Sequence, residues 1–203
     1  MEQKWQRIRF MPGTPLGEDG RRVTGSQKHI DLARRAAAEG MVLLKNENDT
    51  LPLKRGSRVA VFGKAQADYV KGGGGSGDTT VAYVRSLAQG LRMKQDEGKI
   101  EVFEPLEHFY QENVRAQYAA GATPGKTREP ILNSELVQQA RAFTDTAIIT
   151  ICRFSGEDYD RTGQPHDGDY FLSFDEEHMV RRVLAAFSRV IVVLNTGGMM
   201  DTL

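Results

Sequence analysis

The chain has 203 residues with 27 Lys+Arg against 27 Asp+Glu, a formal net charge of zero that gives no electrostatic case for nucleic acid or an anionic membrane. Its composition, 39% hydrophobic and 27% charged, is that of a soluble globular chain, and no apolar run nears the roughly 20 residues needed to span a bilayer. A single cysteine, Cys152, rules out an internal disulfide or multi-cysteine metal site, and MEQKWQRIRF lacks the apolar core of a secretory signal, so a cytoplasmic protein is expected.

Residues 1–27 carry several breakers (Pro12, Gly13, Pro15, Gly17, Gly20, Gly25) and no period, and read as an N-terminal arm ahead of a domain over 28–203. Ser26 is a plausible N-cap. Ile30, Ala33, Ala37, Met41 and Leu44 then recur at helical spacing, predicting a helix to about residue 45. RVAVFG at 58–63 has the β-branched, apolar run of a strand covered on both faces. A glycine-rich loop follows at 71–78, KGGGGSGD, and then a helix over 81–93.

IEVFEP from Ile100 predicts a second strand, followed by helices at 106–119 and 134–143 around the breaker-rich GATPGKTREP. DTAIITIC at 145–152 is a third buried strand, and a polar loop occupies 153–169. Met179, Val183 and Phe187 mark a helix over 175–187, and RVIVVLN is a fourth strand. Strands alternating with helices predict a three-layer α/β/α sandwich with a mostly parallel, flavodoxin-like sheet. In such a sheet the loops leaving the carboxyl ends of the strands contact ligands. The loops at 71–78 and 153–169 are therefore expected on one rim.

Consecutive backbone N–H groups in the glycine loop could cradle an anion, but GGGGSGDT lacks the Gly-Lys-Ser/Thr ending of a P-loop and the spacing of a dinucleotide fingerprint. A flexible surface loop, or close approach to another ligand or backbone, fits as well. The second loop carries Glu157, Asp158, Asp160, Asp167 and Asp169. Asp158, Asp160, Thr162, Gly163 and Asp169 fit several EF-hand positions, yet Pro165 intrudes and a strand precedes, so the match reads as coincidence. A solvated charged loop is the bland alternative. The four histidines have no metal-ligand spacing, no cofactor is implied, and Cys152 reads as an inert buried thiol.

Five blocks in order, HIDLARRAAAEGMVLLKNENDTLPL, VAVFG, GGGGSGDT, FSGEDYDR…GDYFLS and VIVVLNTGG, resemble the α/β sandwich domain of glycoside hydrolase family 3, which contains β-glucosidases and related exo-acting enzymes. The resemblance implies a two-part active site. A (β/α) barrel supplies an aspartate nucleophile, and in many members the sandwich supplies an acid/base glutamate. Glu157 matches that glutamate, while Asp158 stands where glycine is more usual. The family's sugar-contacting loop maps onto Gly75, Ser76 and Gly77.

No barrel precedes the match, and the matched blocks stop soon after VIVVLNTGG. The expectation is a sandwich domain incomplete at its C-terminus, from a permuted-order member with the barrel later, so that the chain alone lacks the nucleophile. The expected partners are a β-linked glucoside or small oligosaccharide, the barrel in cis, and another copy of the chain over an exposed sheet edge, giving a homo-oligomer. Two other classes stay open: a non-catalytic carbohydrate-binding or assembly module of the same fold, and a nucleotide-binding flavodoxin-like domain.

Overall fold

The computed structural model describes residues 25–72, 74–77, 83–157 and 160–201; most of the N-terminal arm, together with Asp158, falls outside them. The chain divides into two units, Met1–Glu47 and Asn48–Leu203. The first contains helix α1, Gln27–Glu39. Ser26 precedes it in the extended conformation of an N-cap but makes no side-chain capping bond. The helix ends at Gly40, whose N–H reaches the Ala36 carbonyl at 2.9 Å. It is shorter than the apolar period predicts, because glycine has the lowest helical preference after proline and supports termination there.

The second unit runs β1 (Ser57–Phe62), α2 (Leu87–Asp96), β2 (Ile100–Val102), α3 (Glu104–Ala119), α4 (Ser134–Phe143), β3 (Thr146–Arg153), α5 (Phe174–Ala186) and β4 (Arg189–Thr196). The helix starts are set by local chemistry. In α2, Ser86 and Gln89 form a reciprocal capping box, which moves the start from the predicted 81 to 87. Asn133 caps α4 by accepting from the Leu136 N–H at 2.6 Å. Ser173 and Glu176 form a second capping box on α5.

All strand pairings are parallel, in the order β2-β1-β3-β4. The register pairs Ser57 with Ile100, Ala60 with Ala147, and Thr146 through Arg153 with Arg189 through Thr196. Alternation along β1 and β3 divides the core. Val59, Val61, Ile148 and Ile191 face one side, where Leu87 and Leu91 of α2 pack. Ala60, Phe62, Ala147, Ile149 and Ile151 face the other, against Leu106 and Tyr110 of α3, Leu136, Val137 and Ala140 of α4, and Met179 and Val183 of α5. Sheet between two helical layers is the predicted three-layer sandwich. Within this unit the helices covering the sheet are α2 on one face and α3–α5 on the other. Every residue of β3 is buried, whereas β4 pairs only with β3 among the described strands and leaves Val192 half exposed. No helix among the described residues is long and apolar enough to cross a membrane.

Because β2 and β3 flank β1 on opposite sides, the chain reverses its winding direction between β1 and β3, which opens a crevice at their carboxyl ends. Charged side chains fill the floor of that crevice. Asp68 is buried and accepts from Gly125 N–H (2.6 Å), Thr127 N–H (3.2 Å), Thr127 Oγ1 (2.5 Å) and Tyr118 Oη (2.5 Å), with Lys64 Nζ at 3.6 Å. Burial alone would raise its carboxyl. The hydrogen bonds from Thr127, Tyr118 and Gly125 with the Lys64 charge hold it below the ordinary range. Those contacts pin the 123–129 loop over the end of β1.

Glu129 is the opposite case. It accepts from Lys64 N–H at 2.8 Å and Tyr110 Oη at 2.9 Å, yet burial pushes its carboxyl up to about 7. A folded value above the unfolded one favours the neutral form in the fold. Its stabilisation is full below about pH 4.5 and is lost as pH rises through about 7. The loss amounts to about 3 kcal/mol at most. Glu129→Gln keeps an acceptor for Lys64 N–H and can donate to the Tyr110 oxygen. It should therefore be more stable than wild type at pH 8 and lose that advantage by pH 5, as read by urea denaturation at both pH values.

Candidate active site

The two loops singled out in the sequence meet at the carboxyl edge of the sheet. Gly75–Gly77 form a short 3₁₀ turn, and Gly74 pairs with Gly156 as an isolated parallel bridge, with Gly74 N–H donating to Ser155 O at 3.2 Å. From this junction Ser76 contacts Glu157 twice: its N–H donates to Oε2 at 3.0 Å and its hydroxyl donates to Oε1. Both residues are exposed. The Ser76 hydroxyl and amide hold the Glu157 carboxyl below the usual carboxylate range. Gly77 closes the turn.

The approach depends on missing side chains. A Cβ on Gly75 would stand 2.5 Å from Glu157 Oε2, and Gly75 has φ +70°; a Cβ on Gly156 would stand 2.7 Å from the Gly74 nitrogen. Any larger residue at either place separates the loops.

Behind Glu157 the loop is anchored by Arg153, the last residue of β3. Its buried guanidinium pairs with Glu176 (2.7 Å to Oε1, 2.9 Å to Oε2) and donates to the carbonyls of Cys152 (2.8 Å), Asp169 (2.7 Å) and Phe171 (3.3 Å). One side chain thus joins the strand end, the returning limb of the loop and the capped start of α5. Farther along, Arg161 Nε lies 2.6 Å from Asp169 Oδ1, Thr162 N–H donates to Asp169 Oδ2 at 2.7 Å, and the Thr162 hydroxyl bonds to Asp167. Asp167 is held below the ordinary range, chiefly by that hydroxyl. Asp160 is exposed on the same loop.

An open cleft of about 630 Å³ lies beside this anchor, lined by residues including Lys64, Glu129, Arg153, Phe154, Asp167 and Glu176. Ser76 and Glu157 are not among its described lining residues. Lys126 sits over the Phe154 ring at 5.1 Å, linking the 123–129 loop to the Glu157 loop. Burial of Cys152 pushes its thiol up to about 11, an environment that suppresses the nucleophilic thiolate. Among the described residues no group of three or more His, Cys, Asp or Glu side chains is placed to hold a metal ion.

Sequence reasoning singled out Ser76 and Glu157 and missed the charges that support them. Lys64, Asp68, Glu129, Arg153 and Glu176 are all buried. The available signal was a cation within two residues of the last apolar position of β1 (Lys64 after Phe62) and directly after that of β3 (Arg153 after Cys152). A charge so close to a buried strand needs a buried partner.

Residues 41–202 match the sequence model described as "Glycosyl hydrolase family 3 C-terminal domain". Beta-glucosidase A of Butyrivibrio fibrisolvens is 48% identical, over 98% of this chain and 26% of that protein. A beta-glucosidase of Ruminococcus albus is 34% identical, over 86% of this chain and 18% of its own length. Among solved structures, a beta-glucosidase from Paenibacillus barengoltzii aligns with TM-score 0.76 and 35% identity, covering 85% of this chain and 19% of that one. Beta-glucosidase 3B from Thermotoga neapolitana, in complex with glycerol, gives 0.77 and 34%, covering 87% and 25%. The chain spans about a quarter or less of the length of these relatives.

Removing one partner of the buried Arg153–Glu176 pair should cost about 3–5 kcal/mol. Arg153→Ala is therefore expected to lower the urea midpoint strongly and to speed amide exchange at Thr162 and Asp169, whose loop loses its anchor. Glu176→Gln, which keeps an acceptor for the Ser173 N–H, should cost less in the same denaturation experiment.

Proposed function

The chain belongs to glycosyl hydrolase family 3, and on that footing we propose that it forms the sandwich part of a retaining, exo-acting β-glucosidase and supplies the acid/base residue, Glu157. The observation that carries this reading is the junction of the two glycine-bearing loops, which sets an exposed carboxylate and the Ser76 turn side by side at the carboxyl edge of a parallel sheet. An exposed carboxylate on that edge can overhang a pocket built by a second domain. A terminal β-linked glucoside would sit between the two, with Gly75, Ser76 and Gly77 presenting backbone and hydroxyl to the sugar.

The chemistry needs two carboxyl groups about 5–5.5 Å apart. Glu157, protonated, gives its proton to the glycosidic oxygen as the bond from that oxygen to the anomeric carbon breaks. A barrel carboxylate forms the new bond to the same carbon. Glu157, now ionised, takes a proton from water while the water oxygen displaces the barrel carboxylate, which returns both groups to their starting states. In this chain Ser76 holds Glu157 low, the reverse of what the acid step asks. The upward push must come from the barrel, through its own carboxylate and the closing off of water. The chain alone should not hydrolyse aryl β-glucosides. Its half-exposed β4 edge is proposed to be covered by further sheet from the same protein or by a second copy.

In the protein that carries both domains, Glu157→Gln should slow turnover of cellobiose-like substrates about 100-fold or more, and aryl glucosides with good leaving groups far less, because only the former need the proton. Azide should recover part of the rate by replacing the water that has lost its base. Near-native activity of the variant on cellobiose would remove Glu157 from the role and make Asp158 and Asp160, on the same stretch of sequence, the next carboxylates to test. A catalytically silent wild-type protein that still binds glucosides would favour the non-catalytic module.

A further inference from the structure

Resting on that reading, we propose that Ser76 is a positioning residue for Glu157, fixing the direction of its carboxyl group through two donors, a role distinct from contact with the sugar. The geometry is specific. The Ser76 amide addresses one carboxylate oxygen and its hydroxyl addresses the other, so the terminal torsion of Glu157, ordinarily a broad rotor, is held at both ends. The contact is not an isolated surface rotamer. The Gly74–Gly156 bridge and the Gly74 N–H to Ser155 O bond clamp the two backbones directly beside it. Gly75 leaves the space that the carboxylate fills: a Cβ there would stand 2.5 Å from Oε2 and 2.9 Å from the Glu157 Cβ.

Nothing else described competes for that carboxyl. Glu157 is exposed, and no charged side chain among the described residues is an identified influence on it; its partners are the Ser76 hydroxyl and amide. Hydrogen bonds donated to a carboxylate favour its ionised form. Ser76 therefore assists the half of the cycle in which Glu157 accepts a proton from water, and it restrains the half in which Glu157 must hold one. Removing the hydroxyl should loosen the carboxyl and ease its protonation, while the amide bond of residue 76 remains.

The test is the pH dependence of kcat/KM for cellobiose in the two-domain protein, since its basic limb follows loss of the proton from the acid. Ser76→Ala should move that limb to higher pH by about one unit, the scale of one charge-assisted hydrogen bond. It should also lower kcat by about tenfold on an aryl glucoside with a good leaving group, whose turnover rests on the base-assisted attack of water, and by less on cellobiose, where easier protonation of Glu157 offsets part of the loss. Ser76→Thr, which keeps the hydroxyl, should return the limb to its wild-type position. An unmoved limb in Ser76→Ala with only KM raised would leave Ser76 a sugar contact and nothing more and overturn the proposal, as would a Thr variant displaced like the Ala variant. Glu157→Gln measured alongside separates the two levels. If it is disabled while the Ser76→Ala limb stays put, the positioning role alone falls; if it is fully active, the acid/base assignment falls and takes this role with it.

Discussion

The arrangement depends on charge buried at the carboxyl ends of β1 and β3. A guanidinium at the end of β3 is costly to desolvate unless every donor finds an acceptor, and Arg153 finds Glu176 and three backbone carbonyls. Those carbonyls belong to strand, loop and the approach to α5. The loop over 153–171 therefore has a defined start and a defined return although most of its side chains are polar. Asp68 does the same for the segment after β1, drawing in Gly125, Thr127 and Tyr118 from a sequence separation of 50 or more. The two anchors touch through Cys152, whose thiol donates to the Asp68 carbonyl at 3.6 Å, and through Gly125, whose added Cβ would lie 3.2 Å from the Phe154 ring.

On these anchors the glycine loops can afford to be thin. Gly74 and Gly156 approach as strands do, but without side chains between them, and the order they lack in packing is supplied from behind by Arg153 and the 123–129 loop. Serine at 76 suits this setting for a simple reason. It is short enough to keep its hydroxyl beside its own amide, so one residue can address both oxygens of a carboxylate across the gap.

The sheet was legible because its strands are short apolar runs, and runs such as AIITIC have no competing reading once they alternate with helical periods. Helix ends were less legible where periodicity and capping disagreed. The apolar period ran past Gly40, but the helix stops there. The period at 81–93 suggested an early start, but the Ser86–Gln89 box sets it at Leu87. At the site, spacing alone could place Ser76 and Glu157 on strand-exit loops but could not bring them together. That needed the order β2-β1-β3, which makes the exits of β1 and β3 neighbours, and no local pattern encodes strand order. The resemblance to family 3 carried the pairing instead. The buried partner of Arg153 was invisible for the same reason, Glu176 being 23 residues away, and so was the acceptor of the Lys64 N–H, Glu129, 65 residues away, whereas the Lys64 ammonium pairs with Asp68 only four residues on.

Two of the perturbed glutamates, Glu129 and Glu157, show why a shifted pKa does not by itself mark a catalyst. Glu129, pushed up to about 7 by burial, has the value expected of a general acid near neutral pH, yet it is buried, and both its oxygens are engaged by Lys64 N–H and Tyr110 Oη. Its protonation therefore bears on stability. Glu157 is shifted the other way and is fully accessible, with its shift made by two donors from one turn. An accessible carboxylate whose proton affinity is set by a few contacts is one that a second domain can retune by approaching it. On the proposed reading of Glu157 as the acid/base residue, its lowered carboxyl is a property of half a site, and the upward push has to come from the second domain.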